Sequence, residues 1–249
     1  MKNKIVLRAL VSVVVLLVLW QISAQLVGKP VYYPSFTETV TAFAGLAVTG
    51  SFWATVTVSM LRVISSFAVS MLLGMMLAVL CSLVPSVTGF VKTLTGVAKA
   101  TPVASFIILA MIWFHSSFVP VFVGILMITP IVFENTLQGI LHIDTQIVQM
   151  SKVYNIPTAL FLRKIAIPYT KPYLSAAVSL SLGIGFKAVV SAEVLCRPSI
   201  GIGAAIYDAK IYLETPQLFA LTITVILLSF LFEKLIGNFV RRKGGTPQA

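Results

Sequence analysis

The sequence predicts an all-α integral membrane protein of about six transmembrane helices, with one short helical element held in the cytoplasm. Three observations point there. Of 249 residues, 58% are hydrophobic and only 10% charged, whereas soluble domains carry about a quarter charged residues. Several apolar runs are long enough to cross a bilayer as helices. The basic residues gather at the ends of those runs, on alternate connections, which fixes an orientation. The formal charge of +11 therefore reports topology. The lysines and arginines form no single face, which argues against a nucleic-acid partner.

The first span covers residues 5–26. Lys2, Lys4 and Arg8 before it and the small Ser23-Ala24 at its end imitate a secretory leader. The apolar run is too long for one and no convincing A-x-A site follows it, so the segment is expected to stay as an anchor. Pro34-Ser35 opens an amphipathic helix through Leu46, and Gly50-Ser51 breaks it. That stretch is expected at the membrane interface. The second span covers residues 58–83, where Met71, Met75 and Met76 read as adaptable packing. The third covers 103–113 and the fourth 119–139. The fifth, 173–194, holds Gly183 and Gly185, which favour close helix packing over a gating hinge. The sixth covers 218–240. His115 and His142 fall at span ends and read as solvated. Cys81 and Cys196 match no metal or redox spacing and read as small apolar fillers.

Orientation follows from the basic residues. Lys2, Lys4 and Arg8, then Lys92 and Lys99, then Lys152, Arg163, Lys164 and Lys171, then Lys234, Arg241, Arg242 and Lys243 occupy alternate connections and the two ends. The other connections hold Lys29, Arg62, Arg197 and Lys210, diluted by Glu38, Asp208 and Glu214. Both termini and the loop between the fourth and fifth spans are thus expected in the cytoplasm.

That loop, QMSKVYNIPTALFLRKIAIP from Gln149 to Pro168, is the most informative stretch of the chain. Asp144 can cap a short helix through about Tyr154, with Ile147, Met150 and Val153 as an apolar stripe. Asn155 suits a left-handed helix terminus. Pro157 suits the first turn of a second helix, which Pro168 should end. That second helix presents Arg163 and Lys164 to lipid headgroups or a partner. An apolar stripe on a cytoplasmic helix needs a surface to bury against, and a soluble partner supplies one.

Here the chain resembles the membrane subunits of ATP-binding-cassette importers, whose motif reads E-A-A-x3-G-x9-I-x-L-P. With Pro168 as anchor the register falls on Gln149, Met150, Ser151, Asn155, Ile165, Ile167 and Pro168. The spacing is kept; Gln replaces Glu, Met and Ser replace the two Ala, and Asn replaces Gly. Ile112-Trp113-Phe114 with His115 resembles the family's W-F-G, and Pro130 with Asn135-Thr136 and Gly139 resembles its P…N-T…G. Ala192-Glu193 followed by Gly201-Ile202-Gly203 resembles its A-E…G-L-G. In this order the motifs resemble the nitrate/sulfonate/taurine-type branch of type I importer permeases, with a MetI-like fold.

The resemblance implies a permease dimer, expected as a homodimer, gripped by a cytoplasmic ATPase dimer and served by an extracytoplasmic solute-binding protein. Bacterial inner-membrane placement follows. It implies a first span and cytoplasmic end at 1–30, an external segment at 31–57, a permease core at 58–240 with its coupling loop at 144–168, and a basic tail at 241–249. Gln149, Met150, Ser151, Val153, Tyr154, Asn155, Ile165 and Pro168 are the expected ATPase-coupling residues. Gln149 turns any salt bridge made by the family Glu into a neutral hydrogen bond. The sequence has no G-x4-G-K-[ST] loop, so ATP and Mg are expected in the partner and no cofactor on this chain. No H-E-x-x-H, paired-Cys motif or G-x-S-x-G appears, which disfavours a membrane enzyme and leaves no catalytic or metal residues to assign. An ATPase-independent carrier is disfavoured by the absence of inverted repeats.

Ionisable groups inside spans are costly and usually face a cavity or a partner. Lys187, Glu193, Glu134 and Trp113 are therefore the solute-path candidates. Lys187 sits toward the outer side and would favour an anion such as a sulfonate or nitrate. The alternatives are a snorkelling lysine, or a pair with Glu193 across the dimer. Glu193 is on another face of the same helix, and Glu134 lies too far in depth to pair with Lys187. Within the same branch the solute could instead be an aromatic vitamin precursor of the thiamine-pyrimidine or riboflavin type.

Overall fold

Apolar sequence leaves no solvent to satisfy backbone N–H and C=O groups, so the chain bonds them locally as helices. The computed structural model describes residues 2–244, and the side chains of residues 11–237. The order is α1 (Lys2–Val27), α2 (Phe36–Ala47), α3 (Gly50–Leu83), α4 (Thr88–Ala100), α5 (Val103–Trp113), α6 (Val119–Leu141), α7 (Thr145–Val153), α8 (Thr158–Phe161), α9 (Ile167–Cys196), α10 (Ile202–Ile211) and α11 (Thr215–Gly244). A one-turn 3₁₀ helix, Pro85–Val87, precedes α4, and a π-helical turn, Leu162–Ala166, joins α8 to α9. The expected tail 241–249 and the lysines and arginines at residues 2–8 lie outside the described side chains.

Among the described residues, four helices are long and apolar enough to cross a membrane: Gly50–Leu83, Val119–Leu141, Thr158–Cys196 and Thr215–Gly237. The expected third span is too short at 11 residues. It forms a broken unit with residues 85–100, bent by 103° at Thr101-Pro102. Proline disfavours α geometry in the residue before it, and Thr101 is extended at φ −79°, ψ 132°. Counting the bent pair as one span gives five. α1 is a 26-residue helix, about 39 Å long at 1.5 Å per residue.

α6 is the spine. It packs along both α3 and α9, and α11 closes the other side of α9. Close approach depends on missing side chains: a Cβ at Gly185 would stand 2.3 Å from Ile128 Cδ1, and one at Gly124 would stand 2.7 Å from the Ser66 side chain. Gly183, expected to share that role, has open space around it. One apolar cluster joins Val63 of α3 to Leu182, Phe186 and Val189 of α9 and Phe232 of α11. Another joins Ile107 and Ala110 of α5 to Val123 of α6 and Ala188 and Ala192 of α9.

α2 begins as the sequence predicts. Ser35 and Glu38 form a reciprocal capping box, each side chain taking the other's backbone N–H. α3 starts eight residues before the expected second span, because Thr49 caps it through Phe52 N. Arg62, counted among the loop charges although it falls within the expected second span, lies buried inside this helix. α1 is tied to this end by Trp20, whose indole N–H donates to the Pro34 carbonyl at 3.0 Å and whose ring lies 5.9 Å from Phe219 of α11.

Candidate functional site

Two features could serve a transporter: the short helix α7 at one end of the bundle, and the ionisable groups along α9. The α7 end follows its sequence closely. The Asp144 carboxylate accepts the Gln146 N–H at 2.8 Å and caps the helix. Asn155 takes φ 49°. Its N–H bonds the Lys152 carbonyl at 3.1 Å, and the Ile156 N–H bonds the Ser151 carbonyl at 2.9 Å. Those two bonds are a Schellman terminus, which satisfies carbonyls the last turn would leave open. Asn tolerates the left-handed region that Gly usually fills.

The exits of α7 thus fix its direction. Ser151 faces inward at 8% exposure, while Met150, Val153 and Tyr154 stand out at 51, 77 and 73%. Gln149 is exposed, and Ile147 is half-buried. The stripe expected through Ile147, Met150 and Val153 is real on its outer two members and continues onto Tyr154. Asn155 and Pro168 are exposed, and Ile165 is half-buried within the π turn.

Pro168 does not end the second helix. α8, the π turn and α9 run as one 39-residue helix from Thr158 to Cys196. Proline has no N–H to give back along the helix. Immediately before it, the Ile167 N–H bonds Leu162 five residues back rather than four. The wider turn absorbs the register change, so the chain passes the proline without breaking. α7 is therefore connected through a short loop to the helix that crosses the core.

Along α9, Glu193 is expected beside a solute path and is instead fully buried. Its Oε1 meets Arg62 Nη1 at 2.7 Å, and its Oε2 accepts from the Ser59 hydroxyl at 2.7 Å and the Gly203 N–H at 3.0 Å. Arg62 Nη1 also reaches the Ile200 carbonyl at 2.7 Å, and Ser59 Oγ accepts the Ile202 N–H at 2.8 Å. The network fastens the N-terminus of α10 to α3 and α9. It also explains the two glycines: a Cβ at Gly203 would stand 2.4 Å from Glu193 Cβ, and one at Gly201 would stand 2.8 Å from Arg62 Nη1. Arg197, left-handed at φ 44°, pairs with Asp208 at 2.7 Å and covers the Tyr207 ring, stitching the same turn to α10.

Sequence reasoning missed Arg62 and Ser59. One signal was available: a lone arginine inside an apolar run demands a carboxylate, and Glu193 is the acid of the facing span. With Glu193 committed to Arg62, the alternative of a Lys187–Glu193 pair across a dimer loses its carboxylate.

Lys187 is exposed, and among the described residues it makes no ion pair. It lies on the open stripe Leu180, Ile184, Lys187, Ser191 and Leu195 of α9, opposite the buried Leu182, Phe186 and Val189. By helical rise it is roughly 30 Å from Ile167 and about 14 Å short of Cys196. Glu134 pairs with Lys99 of α4, both side chains nearly half exposed. Trp113 is 67% exposed at the end of α5. The structure does not bring Lys187, Glu193, Glu134 and Trp113 into one site. His142, expected to be solvated, is exposed but stacks on Tyr173 at 5.7 Å.

Comparison with known proteins agrees with this architecture. Residues 70–245 match the family described as binding-protein-dependent transport system inner membrane component. A protein of Methanocaldococcus jannaschii named as an ABC transporter permease is 25% identical over 225 residues, 87% of this chain and 83% of its own length. SsuC of Bacillus subtilis, named for aliphatic sulfonates transport, is 24% identical over 94% of this chain and 84% of its own. CmpB of Synechococcus elongatus, a bicarbonate transport system permease protein, is 23% identical over 64% of this chain; the aligned part is 58% of its own length. A chain of the MetNI methionine ABC transporter, in inward-facing conformations, superposes with a TM-score of 0.59. It is 13% identical, over 78% of this chain and 94% of that one, and shows the fold alone.

Proposed function

The chain belongs to the family of binding-protein-dependent transport system inner membrane components, and from that premise we propose that it couples a separate ATPase, through α7, to import of a small anion. It is a multi-pass ABC importer permease subunit, a transporter component rather than an enzyme. The observation that carries the coupling is the outward face of Met150, Val153 and Tyr154, exposed at 51, 77 and 73%. The cap and the Schellman turn hold that face rigid, and an apolar surface of this kind at a helix end is a docking surface. ATP and Mg belong to the partner, and a rigid α7 would pass the closing of an ATPase dimer into α9. A homodimer of permeases and an extracytoplasmic binding protein complete the machine. Both termini and α7 face the cytoplasm, by the distribution of lysine and arginine.

Lys187 supports an anionic solute. A lone cation at this depth costs about 2.5–3.5 kcal/mol against hydrocarbon, so it belongs beside water or an anion. Sulfonate and bicarbonate in the names of the relatives support the same solute class.

One reconstitution experiment tests both halves. Met150→Glu or Tyr154→Glu should abolish ATPase co-purification while leaving the spans folded. Lys187→Met should retain the ATPase and the binding protein but cut anion uptake about tenfold or more. Normal ATPase yield with both glutamate variants would sink the coupling role. Full uptake by Lys187→Met would remove the anion argument and leave the coupling role standing.

A further inference from the structure

Beside the π turn, on the outer surface of the bundle, lies an open groove of about 500 Å³ between α3, α6 and α9. That volume is within the ~300–1,000 Å³ of sites that enclose a ligand. Its walls are almost wholly apolar: Leu72, Met76 and Leu80 of α3, Ile140 of α6, Leu162 of the π turn and Ile167 of α9. Leu72, Met76, Leu80 and Ile167 are 46 to 59% exposed, so the groove opens sideways rather than into the core.

A concave apolar surface on a spanning helix needs an apolar occupant, and its rim says which. Arg163 and Lys164, both exposed, sit in the same π turn that supplies Leu162 to the wall. Both precede Ile167 in the chain, so they lie on the α7 side of the α9 wall of the groove. Apolar walls running along the helices, with two cations at one end, match a long hydrocarbon chain carrying an anionic head. We propose that this groove binds an anionic phospholipid from the leaflet on the α7 side, acyl chain along Leu72, Met76 and Leu80, and phosphate against Arg163 and Lys164. A polybasic rim attracts anionic headgroups at the membrane surface. Because the π turn links α7 to α9, the bound lipid braces the joint between the short helix and the core.

Full-length protein is reconstituted in mixed phosphatidylglycerol and phosphatidylcholine vesicles and extracted in mild detergent. Retained lipids are counted by native mass spectrometry. Phosphatidylglycerol should be retained in preference. Arg163→Gln and Lys164→Gln should each lower that preference roughly fivefold, the factor carried by one basic residue near a membrane surface. Leu80→Trp, which fills the groove and keeps both charges, should reduce retention of either lipid. Equal retention of the two lipids by the unchanged protein would overturn the proposal. So would undiminished phosphatidylglycerol preference in the double glutamine variant. A high-yield disulfide between two copies carrying Met76→Cys would also overturn it, by showing that a second chain covers the groove.

Discussion

Glu193 has no exposed surface; Ser59, Arg62 and Gly203 bond its carboxylate, and Ile200 and Ile202 bond Arg62 and Ser59 in turn. Removing one member of a buried ion pair strands the other at a cost of about 3–5 kcal/mol, whereas removing both can be near neutral. Arg62→Met should therefore lower the melting temperature of the purified protein sharply. Arg62→Met/Glu193→Gln should regain much of the loss, a coupling that a melting series of the singles and the double would measure. Additive losses would mean that the pair does not act as a unit. The same residue marks where sequence reading stopped. Glu193 was legible as a costly charge in a span, but its partner sits 131 positions away. Nothing local distinguishes a carboxylate facing a solute path from one facing an arginine.

At the scale of the element, α7 was legible because everything that shapes it is local. Asp144 caps it, and Asn155 ends it within two residues of its last turn. The left-handed conformation costs most residues about 1–2 kcal/mol, more for a β-branched side chain. Asn155→Val should thus loosen the terminus, while Asn155→Gly should keep it. Hydrogen exchange of the amides at residues 151–156 reports this directly: faster in the valine variant, unchanged with glycine. Equal protection in all three proteins would show that packing, not the turn, sets the end of α7. The second helix went the other way. A proline reads as a stop, yet the π turn carries the chain past Pro168: the Ile167 N–H bonds the Leu162 carbonyl five residues back, and the wider turn absorbs the register change.

For the whole molecule, the proposed orientation predicts which residues meet which side. Lys152 of α7 and Lys210 of α10 are both exposed. In sealed cells, Lys152→Cys should react with an impermeant thiol reagent only after the membrane is opened, and Lys210→Cys should react before. Labelling of both from the same side would refute the orientation. By itself the sequence determined the all-helical membrane class, the presence and order of the long apolar helices, the capping of α2 and α7, and the family motifs in their order. These rest on composition, run length and residues within one turn of each other. Only the tertiary structure decided that the third span is a bent pair, that Arg62 and Glu193 form one buried network under α10, and that Lys187 is left facing outward. Such choices depend on which faces meet across the bundle, and helical periodicity marks a face as apolar without saying which neighbour will cover it.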